Sequence, residues 1–364
     1  MTNTILLFIF GLILLILGAD LLVRGASRLA AAFGISPLVI GLTIVAMGTA
    51  SPEIAVSLQA AASGQGDLTL GNVLGSNIFN ILFILGITSI VAPIVIAEQL
   101  IRKDAPIMLG VSLLTLALAF DGNLGWLDGA VLLLGLIVYM VFALRQSRAE
   151  SSDVQNEYAQ EFAEKEPYTA KKTLINVGFI LVGLGLLVLG SNWLVESAVQ
   201  IAKVLGVSEL VIGLTIVAVG TSLPEVATSV IAALKGESDI AVGNAVGSNI
   251  FNLLGVLGIG SLVAPGGVSV AARVLQFDLP VMVFVALVTL PIFYIDNRIS
   301  RVEGGLLLAY YVFYVTYVIL RAAESSVLPT VMLFSAFFIP ITFIALIMVA
   351  IRSSRVKGKI TSQS

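Results

Sequence analysis

The chain has 364 residues, 58% of them hydrophobic and 11% charged, against about 25% charged in a soluble domain. So much apolar surface excludes a water-facing globule and makes a bilayer the natural solvent, and a net charge of -3 excludes bulk attraction to nucleic acid. The absence of cysteine and histidine excludes disulfides, thiol chemistry, cysteine metal centres, and histidine as general base, transition-metal ligand or proton switch.

In chain order, apolar runs near the length needed to span, about 20 residues, predict helices at 4–24, 37–62, 68–91, 105–120, 126–144, 173–195, 209–234, 240–263, 275–295, 303–320 and 327–351. The runs are continuously apolar rather than alternating, so the expected class is an all-α polytopic membrane protein of about eleven helices, not a barrel. The first run, Thr4–Val23, lacks a basic leading segment and a small-residue cleavage site and is read as a transmembrane helix, not a signal peptide.

One polar stretch, 145–172, divides the chain. The expected organisation is a first five-helix unit at 1–144, a cytoplasmic linker at 145–172, a second unit at 173–320, and an extra helix with a basic tail at 321–364. Basic residues test the sidedness. With the N-terminus outside and the C-terminus in the cytoplasm, 16 of the 19 Lys and Arg residues fall on the inner side, and only Lys203, Arg273 and Arg321 fall outside. The expected location is the cell (inner) membrane.

Residues 39–93 align without gaps onto 211–265, with 34 identities in 55 positions. VIGLTIVAMGTASPE (39–53) matches VIGLTIVAVGTSLPE (211–225), and GNVLGSNIFN (71–80) matches GNAVGSNIFN (243–252). Weaker echoes include Asp104-Ala-Pro106 with Asp278-Leu-Pro280. Five helices per half is an odd number, so the second half enters the membrane from the opposite side. Two inverted repeats follow, an arrangement many secondary transporters use.

Glu53 and Glu225 occupy equivalent positions in apolar helices whose core spans contain no Lys or Arg. A carboxylate there costs about 2.5–3.5 kcal/mol on insertion scales. It could be protonated or paired from another helix. Its duplication instead suggests two carboxylates meeting at the midplane, a setting for hard cations that prefer oxygen. Pro52 and Pro224 precede the glutamates and free the carbonyls of Gly48 and Gly220; the helix should kink or break there. Thr49 and Thr221, four residues before each Glu, are expected on its helical face. Ser76 and Asn80, with their mates Ser248 and Asn252, could complete an oxygen shell. Asn72, Asn77, Asn244 and Asn249 fit helix caps or interhelical hydrogen bonds. Gly71, Gly75, Gly243 and Gly247 fit close helix packing. Asp67, Asp121, Asp128, Asp239 and Asp296 fall near membrane surfaces. Asp20 and Asp278 lie deeper and have no obvious place. No cofactor, nucleic acid or obligatory protein partner is expected, and without a HExxH-type motif the chain is read as no enzyme.

The paired GTxxPE and GNxxGSNxxN segments resemble the two alpha repeats of the cation/calcium antiporter superfamily, and the chain is most similar to the prokaryotic sodium/calcium exchanger branch. The resemblance spans roughly residues 1–320. It implies inverted five-helix halves, four ion sites around the two glutamates, and alternating access in which sodium enters as calcium leaves. The ligands it implies are Glu53, Glu225, Thr49, Thr221, Ser76, Ser248, Asn80, Asn252 and Ser222, and it places Thr43 and Thr215 near gating helices. Two positions depart: Asn252 stands where some relatives carry Asp, and Ala50 where relatives often carry Ser. The linker is too short for the regulatory calcium-binding domains of animal exchangers. The second motif lacks the extra acids or His usual in proton-coupled members, which favours sodium. Proton-coupled cation exchange remains the alternative, with a cation channel behind it.

Overall fold

The computed structural model describes residues 2–149, 169–205 and 218–361. Its long helices are α1 (Thr2–Phe33), α4 (Gly66–Val91), α5 (Leu100–Asp121), α6 (Trp126–Ala149), α7 (Ala170–Val204), α9 (Ser238–Val263), α10 (Val274–Tyr294), α11 (Arg301–Ala322) and α12 (Leu328–Thr361). Among the described residues these nine are long and apolar enough to cross a membrane. Taken as one span, the pair α2 (Pro37–Thr49) and α3 (Ser51–Ala62), bent by 52°, makes a tenth. Their repeat mate is visible as the turn Ala218–Gly220 and α8 (Leu223–Leu234); 206–217 lie outside the described residues, and so do Thr215 and most of the expected linker. The chain is thus an all-helical, polytopic membrane protein.

Several helices exceed their expected lengths, among them α12, which runs to Thr361 rather than ending at 351. α1 runs 32 residues and α7 runs 35. Beyond Val23 the sequence RGASRLAAAF keeps helix-forming residues; its arginines can reach the interface on their flexible stems, so polarity alone does not end the helix. α6 likewise continues to Ala149, inside the expected linker. Thr169 caps α7 by accepting from the Lys172 N–H.

The inversion is readable in how α1 meets α7. A Cβ at Gly11, Gly18 or Gly25 would stand 2.8 Å from the carbonyl oxygen of Gly190, Gly183 or Asn176 respectively. The numbers rise along one helix as they fall along the other, so these repeat mates run antiparallel. Only glycine at seven-residue spacing allows backbones this close. Two small ladders repeat the symmetry: β1 (Ile94–Val95) pairs antiparallel with β4 (Arg298–Ile299), and β2 (Asn123–Leu124) with β3 (Val268–Ser269).

The central pair is α4 and α9, the most buried of the spans. α2 lies against α9, where Gly243 and Gly247 let the Leu38–Leu42 backbone approach; an added Cβ would meet Leu42 O at 2.5 Å at Gly247. The expected packing role holds for these two glycines. At Gly71 and Gly75 an added Cβ would meet nothing within 4 Å among the described residues.

The symmetry is broken in one respect. α1 packs along α8, while its mate α7 makes no comparable contact with α3. Ser51, Ala55, Val56 and Gln59 of α3 are exposed; their mates Leu223, Ala227, Thr228 and Ile231 are half-buried or buried. Asp20 of α1 closes this side: its carboxylate sits 2.6 Å from Lys235 Nζ, just past α8, and 2.8 Å from Arg24 Nε. Asp278 lies 3.5 Å from Arg273 Nε. Asp104 accepts from Gln99 Nε2 and the Tyr139 hydroxyl.

Candidate cation site

Each glutamate is placed by a helix break. The segment ending at Thr49 stops at Ala50 (φ -73°, ψ 7°), and α3 restarts with Ser51-Pro52-Glu53. In the second half Ser222 (φ -91°, ψ 10°) precedes Leu223-Pro224-Glu225. Proline suits the first turn of a helix, where its missing N–H has no partner to lose. The glutamate in that turn faces the positive end of the helix dipole, which favours an anion. Both are buried, at 1% exposure, and close enough to feel each other's charge.

The break corrects one expectation. Thr49 and Glu53 do not share a helical face, because they lie on different helices. The threonines cross between halves instead: Thr49 stands beside Glu225 and Thr221 beside Glu53. The same crossing appears in their hydrogen bonds, Thr49 Oγ1 donating to Asn244 Oδ1 (3.0 Å) and Thr221 Oγ1 to Asn72 Oδ1 (3.5 Å). The Gly48 carbonyl freed by Pro52 is taken up by the Ser51 hydroxyl at 2.6 Å; its second lone pair remains. Gly220, also buried, sits against Val195.

Ser76 and Asn80 come from α4, Ser248 and Asn252 from α9. Both asparagines open a π-helical turn, Asn80–Ile84 and Asn252–Val256, a local widening frequent at functional sites. Ser222 donates to Glu53 Oε1 at 2.7 Å and lies 3.2 Å from Ser76 Oγ. Its mate Ala50 has no hydroxyl to offer Glu225, so the two half-sites differ.

Five buried oxygens of these residues have no hydrogen-bond partner among the described residues: Glu53 Oε2, Glu225 Oε2, Asn80 Oδ1, Asn252 Oδ1 and Ser248 Oγ. Buried polar groups are ordinarily satisfied, and leaving one open costs about 1–3 kcal/mol. Two carboxylates and three neutral oxygens without a donor are the ligand types a hard cation prefers. Among the described residues no group of three or more acidic side chains could hold a metal, so the charge here is that of two glutamates.

The asparagines left open by sequence form the scaffold. Asn72 Nδ2 donates to Glu53 O (3.3 Å) and Ser57 Oγ (2.9 Å), and Asn244 Nδ2 to Glu225 O (3.3 Å) and Ser229 Oγ (3.0 Å). Their strict duplication was the available signal; their partners were not readable. Thr43 is occupied locally, donating to Val39 O at 2.6 Å. Asp121 and Asp128 accept from nearby backbone N–H groups in turns.

The model of the family described as "Sodium/calcium exchanger protein" matches residues 3–145 and 175–320. The chain is 42% identical over 307 residues to the putative antiporter CaxA of Alkalimonas amylolytica, covering 84% of this chain and 95% of that one. It is 32% identical over 341 residues to the sodium/calcium exchanger MaX1 of Methanosarcina acetivorans, covering 85% and 97%. Among solved structures, the sodium–calcium exchanger NCX_Mj soaked with sodium and calcium superposes with a TM-score of 0.73 at 32% identity, over 86% of this chain and 98% of that one.

Proposed function

The chain belongs to the sodium/calcium exchanger family, whose members are transporters rather than enzymes, and from that premise we propose that it exchanges sodium for calcium by alternating access around Glu53 and Glu225. The observation that carries the reading is the cluster of five partnerless oxygens, two of them on carboxylates brought together from opposite halves. Calcium would bind between the glutamates with Asn80, Asn252, Ser248, Ser76 and Ser222 around it, together with the carbonyls or hydroxyls near Thr49 and Thr221 and the Gly48 and Gly220 turns. Sodium ions would compete for the same oxygens. More than two sodium ions per calcium would move net charge and make transport respond to voltage.

Alternating access needs two closures that exclude each other. The one-sided packing of α1 on α8, with Asp20 held to Lys235, supplies one, and the exposed face of α3 is the matching path. With the N-terminus outside, that path leads to the exterior. An empty site holding two unpaired charges resists occlusion, whereas either cargo neutralises it; that difference couples the two fluxes.

The test is calcium-45 uptake into sodium-loaded proteoliposomes, with sodium-free and sodium-outside controls and Glu53→Gln in parallel. Uptake should require the outward sodium gradient and vanish in the variant. Uptake that ignores sodium but dissipates an imposed pH gradient would replace sodium coupling with proton coupling. Single-channel currents in a planar bilayer would replace exchange altogether.

A further inference from the structure

Next to the site's oxygens lies a reciprocal set of asparagine contacts. Asn77 Nδ2 donates to the Asn249 backbone carbonyl (3.4 Å), and Asn249 Nδ2 to the Asn77 backbone carbonyl (3.1 Å). The side-chain oxygens then accept in turn: Asn80 Nδ2 donates to Asn249 Oδ1 (3.0 Å) and Asn252 Nδ2 to Asn77 Oδ1 (3.3 Å). All four side chains are buried, none more than 3% exposed.

Donor and acceptor chemistry leaves this chain of bonds one solution. A backbone carbonyl only accepts, so the amide that meets it must present its NH2. The oxygen of Asn249 is thereby turned toward Asn80, which must answer with its own NH2. Only the Asn80 carbonyl oxygen remains, and it has no partner among the described residues. The same sequence through Asn77 sets Asn252 Oδ1. Flipping either terminal amide would set oxygen against oxygen and present NH2 to the cation.

Building on the cation-site reading, we infer that Asn77 and Asn249 are positioning residues, each of which fixes the ligand oxygen of the opposite half, Asn249 that of Asn80 and Asn77 that of Asn252. They touch no cation. They determine that two amides offer oxygen rather than nitrogen, and they couple the half-sites across the repeat axis, so that moving one ligand set disturbs the other. An outer-shell partner of this kind is worth roughly 10–100-fold in metal affinity.

The experiment is a double-mutant cycle on calcium-45 uptake, read as calcium KM and maximal rate. Asn249→Leu and the smaller Asn249→Ser should each raise KM roughly tenfold or more. Asn80→Ala should raise KM as well, and adding Asn249→Leu to it should cost little more, because one acts through the other. Asn252→Ala and Asn249→Leu, only three residues apart on one helix, should add independently. If the Asn249 variants change maximal rate but not KM, or couple to Asn252 rather than Asn80, the positioning role is overturned and the cation site stands. If Asn80→Ala itself leaves KM unchanged, the ligand assignment and the inference fall together.

Discussion

At the residue scale, the two glutamates set the character of the molecule. Each is buried beside the other with an oxygen that no described residue satisfies. Burying a charge is costly unless it is paired, so on the proposed function the cation-free protein carries a cost that cargo would relieve. Glu225→Gln keeps the shape and removes one charge. It should therefore raise the melting temperature of the cation-free protein in detergent while abolishing the further rise that calcium gives the parent. It should also raise the calcium Kd at least about tenfold, ligand charge being a main determinant of hard-cation affinity. Glu53→Gln should behave alike. A variant with a lower cation-free melting temperature and an intact calcium shift would mean the carboxylate is structural. Both glutamates were legible in the sequence because an unpaired acid in a duplicated apolar motif stands out by itself. The partner of each threonine was not legible, because the break at Ala50 and Ser222 turns Thr49 and Thr221 toward the opposite half.

At the element scale, the antiparallel contact of α1 with α7 depends on backbone approach at seven-residue intervals. Gly18→Val would place its Cβ 2.8 Å from Gly183 O, and since backbone cannot yield as a flexible side chain does, the cost should be about 1–3 kcal/mol. Gly185→Ala, on the same pair but with nothing within 4 Å of its Cβ, should be neutral. Thermal unfolding of the purified variants checks the contrast. The helices themselves were legible from uninterrupted apolar runs. Their ends were not, since α1 and α7 continue past their apolar stretches on arginine, glutamate and small residues that tolerate the interface.

At the scale of the whole molecule, two nearly identical sequences pack differently. α1 closes on α8 and is tied by Asp20 to Lys235, while α7 stands away from α3. Position 63, the repeat mate of Lys235, is Ser, and position 192, the mate of Asp20, is Asn, so this latch has no counterpart on the other side. Asp20→Asn should release the closure and shift the population toward the opposite state. Because the chain has no cysteine, a single cysteine at Ala55 on the exposed face of α3 reports it. Its labelling by an impermeant external thiol reagent should slow severalfold when Asp20→Asn is added. Unchanged labelling would show that the ion pair does not hold the closure, and labelling only from the cytoplasmic side would reverse the orientation.

The sequence by itself determined the membrane setting, the helical class, the inverted repeat and the pair of acidic motifs. Each of these is a local or duplicated property: apolar length, an odd number of crossings, a charge where none is affordable. Tertiary structure alone decided which half each threonine and asparagine meets, that α1 rather than α7 packs along the proline-started helix of the other half, and which way the buried amides of Asn80 and Asn252 face. Those outcomes rest on contacts between residues 149 to 215 positions apart, such as Thr221 with Asn72, Asn77 with Asn249 and Lys235 with Asp20. They also rest on the freedom of equivalent sequences to settle into inequivalent packing, and no local pattern encodes that choice.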